Sequence, residues 1–361
     1  MSRPVVAVNG RFLTMEMTGV QRYAHEILSR LAPELEADLR VIVPPDRIYE
    51  GGDPDLALVQ TTKQWHGIGG HRWEQLALPR FARKVRSRLL WSPCNWGPVS
   101  VRRQVPVIHD IAALTQPDYF TPTYRALARA LTGPLLRRSI RVVTPSARVR
   151  AELLERSLVR EDRLEVVPPG VGPPFDSVRL DDLERRAGTY CVLVGAHDSR
   201  KNVEFLLDLW PDVRARTGLE LHLTRRRLVT TRQQHELDLA KGPGIVVHDD
   251  PTDLELAGLY ADALCLLWPS HYEGYGFPLL EAMAVGTLFL AADVGAAAEL
   301  AVDPGQILPL ERERWIEQIA DWHSGDVSAL RAESAARARA QTWSAAATAT
   351  AGLLDRLATR P

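Results

Sequence analysis

A chain of 361 residues with 45% apolar and 25% charged residues is too long for one ordinary core and too apolar to stay disordered, so it reads as two globular domains of roughly 150 to 180 residues each. No apolar segment is long enough to span a bilayer, and "MSRPVVAVNG" lacks the basic and then apolar pattern of a signal peptide, so a cytoplasmic protein is expected. The formal net charge of −1 conceals an asymmetry: residues 1–178 hold 25 Lys and Arg against 18 Asp and Glu, and the remainder holds 19 against 27.

Short apolar runs alternate with amphipathic helical stretches, the rhythm of parallel sheets joined by crossover helices. In the first half the strand candidates are "VVAV", "RVIV", "LLWS", "VPVI", "IRVVT" and "LEVV". After the first of them, Val20, Tyr23, Ile27, Leu28, Leu31 and Leu35 recur at helical spacing and form one apolar stripe. In "RFARKVRSRLLW", Arg80, Arg83, Lys84, Arg86 and Arg88 cluster. A solvated helix face accounts for them most simply; a peripheral contact with an anionic membrane through residues 80–91 is the other use, and with Phe81 the one aromatic among these charges nucleic acid is not favoured. Proline and glycine then concentrate in "VVPPGVGPPF", which suits an interdomain linker.

The alternation restarts at "YCVLVG", followed by a helix in which Val203, Leu206, Leu207 and Trp210 share a face and Asn202 takes the N-cap position. "LELHL", "GIVVH", "ALCLLW" and "TLFLA" supply further strands, and Thr252 with Glu255 forms a capping box. The Ala-rich end, "TWSAAATATAGLLDRLATR", is helical. The expected domains are 1–170, a linker over 171–188, 189–340, and a terminal helix over 341–361. Cys94, Cys191 and Cys265 have no metal-ligand spacing and are expected to be buried, reduced thiols.

The stretch "PSHYEGYGFPLLEAMAVG" places Glu273 and Glu281 with seven residues between them, among them Gly274, Gly276 and Pro278. It follows a strand, and a helix can begin at Pro278 and end at Gly286, so the pattern is strand, glycine loop, helix. Such a loop lies at the carboxyl edge of a parallel sheet, where open sheets bind ligands. Its glycines permit close backbone approach, and the N–H groups at the helix start favour an anion such as phosphate. Glu281, expected in the first turn, suits the helix dipole and can accept a pair of vicinal hydroxyls.

This combination resembles the two-glutamate signature of the retaining family 4 glycosyltransferases. Further segments agree along most of the chain: "LVGAHDSRKNVEFLL" resembles the family's Arg-Lys-Asn segment and "VIHDIAAL" its His-Asp segment. "GVQRYAHEIL" resembles its glycine-led first helix, "HRWEQLALP" and "SPCNWGP" the lead-in to the His-Asp strand, and "TWSAAA" the helix that crosses back to the first domain. The fold the resemblance implies is α/β of the GT-B kind, two facing Rossmann-like domains with a cleft between them, the first binding the acceptor and the second a nucleotide sugar.

The resemblance also implies roles. Arg200 and Lys201 would stabilise the departing diphosphate. Glu281 would hold the ribose, and Glu273 with the amides of Gly274, Tyr275, Gly276 and Phe277 would hold the donor sugar and distal phosphate. His109 would line the cleft near the transferred sugar or the acceptor, Gly19 would admit acceptor and diphosphate to the backbone, and Arg22 could touch either. No divalent metal and no cofactor are expected. "DPD", Asp53 to Asp55, has the metal pattern of the other glycosyltransferase fold but follows no strand and reads as chance. The implied reaction is retaining transfer of a hexose, with GDP-mannose as the first donor and a hydroxyl on a glycan, lipid-linked or natural-product acceptor. A nucleotide-sugar epimerase and a non-catalytic binder are the alternatives; an NAD enzyme is disfavoured because no G-x-G-x-x-G with a following acid occurs. Ala196 stands where some relatives carry an arginine, and Arg225, in a strand that usually ends in glycines, could reach the diphosphate. "ADVGAAAELAVDPG" is short and Ala-rich after Asp293, although Glu299 keeps its place.

Overall fold

The apolar runs become parallel strands because the sheets they form are covered on both faces by helices, which requires hydrophobic residues without alternation. The computed structural model describes residues 3–45, 58–60, 69–177, 188–225 and 242–359. They form two units, one of Met1–Gly170 with Trp343–Pro361 and one of Val171–Thr342.

In the first unit, β1 (Val5–Asn9), β2 (Asp38–Val43), β3 (Leu58–Gln60), β4 (Leu89–Ser92) and β5 (Gln104–Pro106) form a sheet of order β3-β2-β1-β4-β5. All its pairings are parallel. β6 (Val142–Thr144) and β7 (Leu164–Val166) pair with each other, and the bridge Val107–Val143 joins them to this layer. The helix Gly19–Glu34 buries Tyr23, Ile27, Leu28 and Leu31, the stripe expected from spacing. The helix Trp343–Thr359 packs on it and buries Ala347, Ala351 and Leu354. Asp355 accepts from the Glu36 and Ala37 amides where the helix Gly19–Glu34 gives way to β2.

In the second unit, β8 (Tyr190–Leu193), β9 (Glu220–Arg225), β10 (Ile245–Asp249), β11 (Cys265–Trp268) and β12 (Leu288–Ala291) take the order β10-β9-β8-β11-β12, again all parallel. Trp210, Trp268, Trp315, Tyr260 and Phe289 are fully buried on the two faces of this sheet. The capping box of Thr252 and Glu255 is formed as expected. Asn202 holds the N-cap position of the helix Val203–Thr217 in the left-handed conformation (φ 53°), but its side chain does not cap; Nδ2 donates to the Pro269 carbonyl instead, at 3.1 Å.

One other expectation changes, and one strand is added. Cys191 and Cys265 are registered neighbours on paired strands, with sulfurs 3.6 Å apart, and are buried as expected; Cys94 is only partly buried. β3 went unseen in the sequence because three residues between polar, Gly- and Pro-containing segments carry no readable period.

Candidate functional site

In the second unit the chain leaves β8 towards β9 and β10 on one side and towards β11 and β12 on the other. The loops following β8 and β11 therefore diverge at the carboxyl edge, which opens the crevice where doubly wound sheets take ligands. Residues 194–202 form one loop and 269–276 the other. They are tied together: the His271 amide donates to the Arg200 carbonyl at 2.9 Å, and Asn202 reaches Pro269.

Lys201 and Glu273 meet between the two loops. Lys201 Nζ lies 2.6 Å from Glu273 Oε1 and 3.5 Å from the centroid of the Trp268 ring. Burial holds the Lys201 ammonium below its ordinary value, and the adjacent carboxylates of Glu273 and Asp198 only partly restore it. Arg200 makes a forked pair with Asp198, Nη2 to Oδ2 at 2.6 Å. Burial pulls the Asp198 carboxyl up, but the hydrogen bonds and charge of Arg200 outweigh it and the group titrates below the usual range. Two cations are thus held at a crevice edge by carboxylates that a diphosphate can replace or share.

Gly276 has φ +104°, a conformation that lets the chain turn from the loop into the helix Phe277–Ala284. That helix starts one residue earlier than expected, and Glu281 is its fifth residue, outside the first turn. Glu281 is 8% exposed and accepts from Tyr260 Oη at 3.4 Å. Gly274 and Phe277 are half-buried, whereas Tyr275 points its side chain inward and donates to Gln341 Oε1 at 2.7 Å. Burial pushes the Tyr275 phenol well above its usual value, leaving its backbone as what it offers a ligand.

His109 belongs to the first unit and is 5% exposed. Its Nε2 donates to the Pro93 carbonyl at 2.7 Å, which leaves Nδ1 as an acceptor with no partner among the described residues, and Tyr23 packs edge-on at 4.9 Å. Burial lowers its pKa to about 4, so the ring is neutral near pH 7. Gly19 opens its helix at an exposed position, and Arg22 lies in the same first turn. Arg225 pairs with Asp249 on the next strand, which gives it a partner other than the expected diphosphate. Asp53 to Asp55 lie outside the described residues.

Several neighbours of these groups went unread. Trp268 ends an apolar run and looks like core, yet its ring floors Lys201. Gly295, with φ +56°, has no room for a side chain: a Cβ there would lie 2.8 Å from the Tyr275 carbonyl oxygen and 2.9 Å from Glu273 Cβ. Glu74 sat within an apolar helix face beside Trp73 and Leu78, a charge in the wrong place for solvent, and that was its signal. It is buried and accepts from Asn9 Nδ2 at 3.0 Å and Arg11 Nη1 at 2.8 Å.

Residues 17–173 match the family described as Glycosyltransferase Family 4, and residues 188–323 match that described as Glycosyl transferases group 1. The two matches together span most of the chain, which belongs to the family 4 glycosyltransferases. It is 25% identical to the O-antigen chain mannosyltransferase RfbU of Salmonella typhimurium over 61% of this chain and 63% of that protein. It is 30% identical to the MMP alpha-(1->4)-mannosyltransferase of Mycolicibacterium hassiacum over 46% of this chain and 40% of that protein. These two alignments thus span less than two thirds of either relative. Among solved structures it resembles sucrose-phosphate synthase from Thermosynechococcus elongatus, with a TM-score of 0.76 at 16% identity over 98% of this chain and 99% of that one. The fold is GT-B.

Proposed function

We propose that the chain is a retaining glycosyltransferase that moves a hexose from a nucleoside-diphosphate donor to a hydroxyl of a glycan, lipid-linked or natural-product acceptor, without a divalent metal. The observation that carries this reading is the Lys201–Glu273 pair at the strand switch point of the second unit, beside Arg200 and the start of the helix Phe277–Ala284. The bond from the anomeric carbon to the distal phosphate oxygen breaks while a bond to the acceptor oxygen forms on the same face. The acceptor proton passes to a phosphate oxygen, and the nucleoside diphosphate leaves. Negative charge grows on that leaving group, and in this reading Lys201, Arg200 and the amides of 274–277 stabilise it.

Glu281 takes the ribose hydroxyls and Glu273 the donor sugar. His109 offers a neutral acceptor nitrogen to a sugar hydroxyl. GDP-mannose is the first donor, supported by the mannosyltransferase names of the two relatives. A second contact, with an anionic membrane, is supported by Arg80, Arg83, Lys84, Arg86 and Arg88: all five are exposed, and no carboxylate among the described residues pairs with them.

The test is a panel of GDP-, UDP- and dTDP-sugars, read by thermal stabilisation and by slow donor hydrolysis, with and without EDTA. The expected result is stabilisation and hydrolysis with a GDP-hexose, undiminished by EDTA. Stabilisation without hydrolysis indicates a binder, and conversion of the sugar an epimerase. No shift with any nucleotide sugar at millimolar concentration refutes the reading.

A further inference from the structure

The first unit has a strand switch point of its own, between β1 and β4. A cavity of about 200 Å³ opens there, lined by residues that follow β1 (Asn9, Arg11), residues that follow β4 (Cys94, Asn95, Trp96), the start of the helix Gly19–Glu34, and His71, Glu74 and Tyr124. Two properties of this lining identify what it can hold.

Its charges cancel within the wall. Glu74 takes Arg11 Nη1 at 2.8 Å and Asn9 Nδ2 at 3.0 Å and is 3% exposed, and His71 Nδ1 lies between the pair, 3.1 Å from Arg11 Nη1 and 3.2 Å from Glu74 Oε2. The guanidinium is thereby committed to a buried carboxylate, and a phosphate entering here would meet Glu74 as well as Arg11. Burying such an anion without its own cation is costly. Beside this ion pair the lining offers uncharged groups. Gln21 is buried; its oxygen accepts from Thr18, and among the described residues its amide N–H group has only the Met15 thioether, at 3.8 Å, a weak acceptor. Trp96 supplies an aromatic wall, with His71 and Tyr124 edge-on to it at 5.0 and 6.0 Å. An apolar ring face together with amide hydrogen-bonding capacity is the lining that an uncharged, polyhydroxylated ring requires, its C–H face on the aromatic and its hydroxyls on the amide and carboxylate.

We infer that this cavity seats an uncharged pyranose ring of the acceptor, so that the group receiving the hexose belongs to a neutral glycan end rather than to a sugar phosphate. This rests on the glycosyltransferase reading, and the experiment separates the two. Methyl α-D-mannopyranoside, methyl α-D-glucopyranoside, methyl α-D-galactopyranoside and mannose 6-phosphate are titrated into the full-length chain without donor, and binding is read by saturation-transfer NMR. Donor hydrolysis without acceptor is measured separately. At least one neutral glycoside binds at millimolar concentration, and mannose 6-phosphate binds about tenfold more weakly or not at all. Gln21→Leu and Trp96→Leu each weaken the glycoside about tenfold, with the unfolding transition and GDP binding recorded to show that each variant is folded. If mannose 6-phosphate binds best, if no glycoside binds while donor hydrolysis proceeds, or if both folded variants bind as wild type does, the assignment falls. Absence of donor hydrolysis strikes instead at the reading beneath it.

Discussion

Acidification isolates the environment of His109. Its ring, held by Pro93 and covered by Tyr23, has its pKa lowered from 6.5 to about 4 by burial. As pH falls through 6.5 the unfolded chain takes up a proton that the folded chain refuses until about 4. Stability present above 6.5 is therefore lost on the way down, and the loss is complete near the folded value. At 1.36 kcal/mol per pH unit the whole gap is worth about 3 kcal/mol, of which about 2 kcal/mol is lost by pH 5. Many carboxylates titrate in the same range, so the assay is a difference: urea unfolding of wild type and His109→Gln at pH 7 and pH 5. Glutamine retains an amide donor for the Pro93 carbonyl and does not titrate. The stability difference between wild type and variant should shift against wild type by about 2 kcal/mol between the two pH values. An unchanged difference would mean that His109 titrates as a solvated histidine, and the buried, neutral ring assigned here would be wrong.

Other outcomes follow from the second unit. Lys201→Met should lower donor turnover by about 10²- to 10³-fold, the effect of removing one charge aimed at a leaving group, while Lys201→Arg restores part of it. Because burial lowers the Lys201 pKa, wild-type hydrolysis should decline with rising pH before an ordinary lysine would deprotonate, and Lys201→Arg should keep its plateau; parallel profiles would remove Lys201 from the reaction. Gly295→Ala should cost about 1–3 kcal/mol and weaken GDP binding, since its Cβ collides with Tyr275 and Glu273, whereas Gly258→Ala, in a helix with open space around it, should raise the melting temperature. Equal effects of the two substitutions would show that the loop tolerates displacement.

The sequence carried the strand and helix pattern because parallel strands buried on both faces need continuous apolar runs, as "ALCLLW" and "TLFLA" show. It carried Lys201 and Glu273 as separate residues of two motifs. That they touch depends on β8 and β11 being neighbours, a fact of sheet order that no local pattern encodes. The same holds for Cys191 and Cys265, far apart in the chain and adjacent across paired strands. Glu281 shows the limit of a boundary read from proline alone: Gly276 starts the turn through its positive φ, the helix begins at Phe277, and the glutamate slips into the second turn against Tyr260. The cavity of the first unit was spread over "VNGRF", "HRWEQ" and "SPCNW", each of which read as framework until the fold brought the three together.

In the proposed function the second unit holds a nucleoside diphosphate with Lys201 on its phosphates and Glu281 on its ribose. Calorimetric titration of GDP into wild type, Lys201→Met and Glu281→Gln tests it most directly. GDP should bind wild type and lose about tenfold or more in affinity in each variant, the scale of one hydrogen bond to a charged group, with native unfolding transitions retained. Wild-type affinity in both folded variants would contradict it.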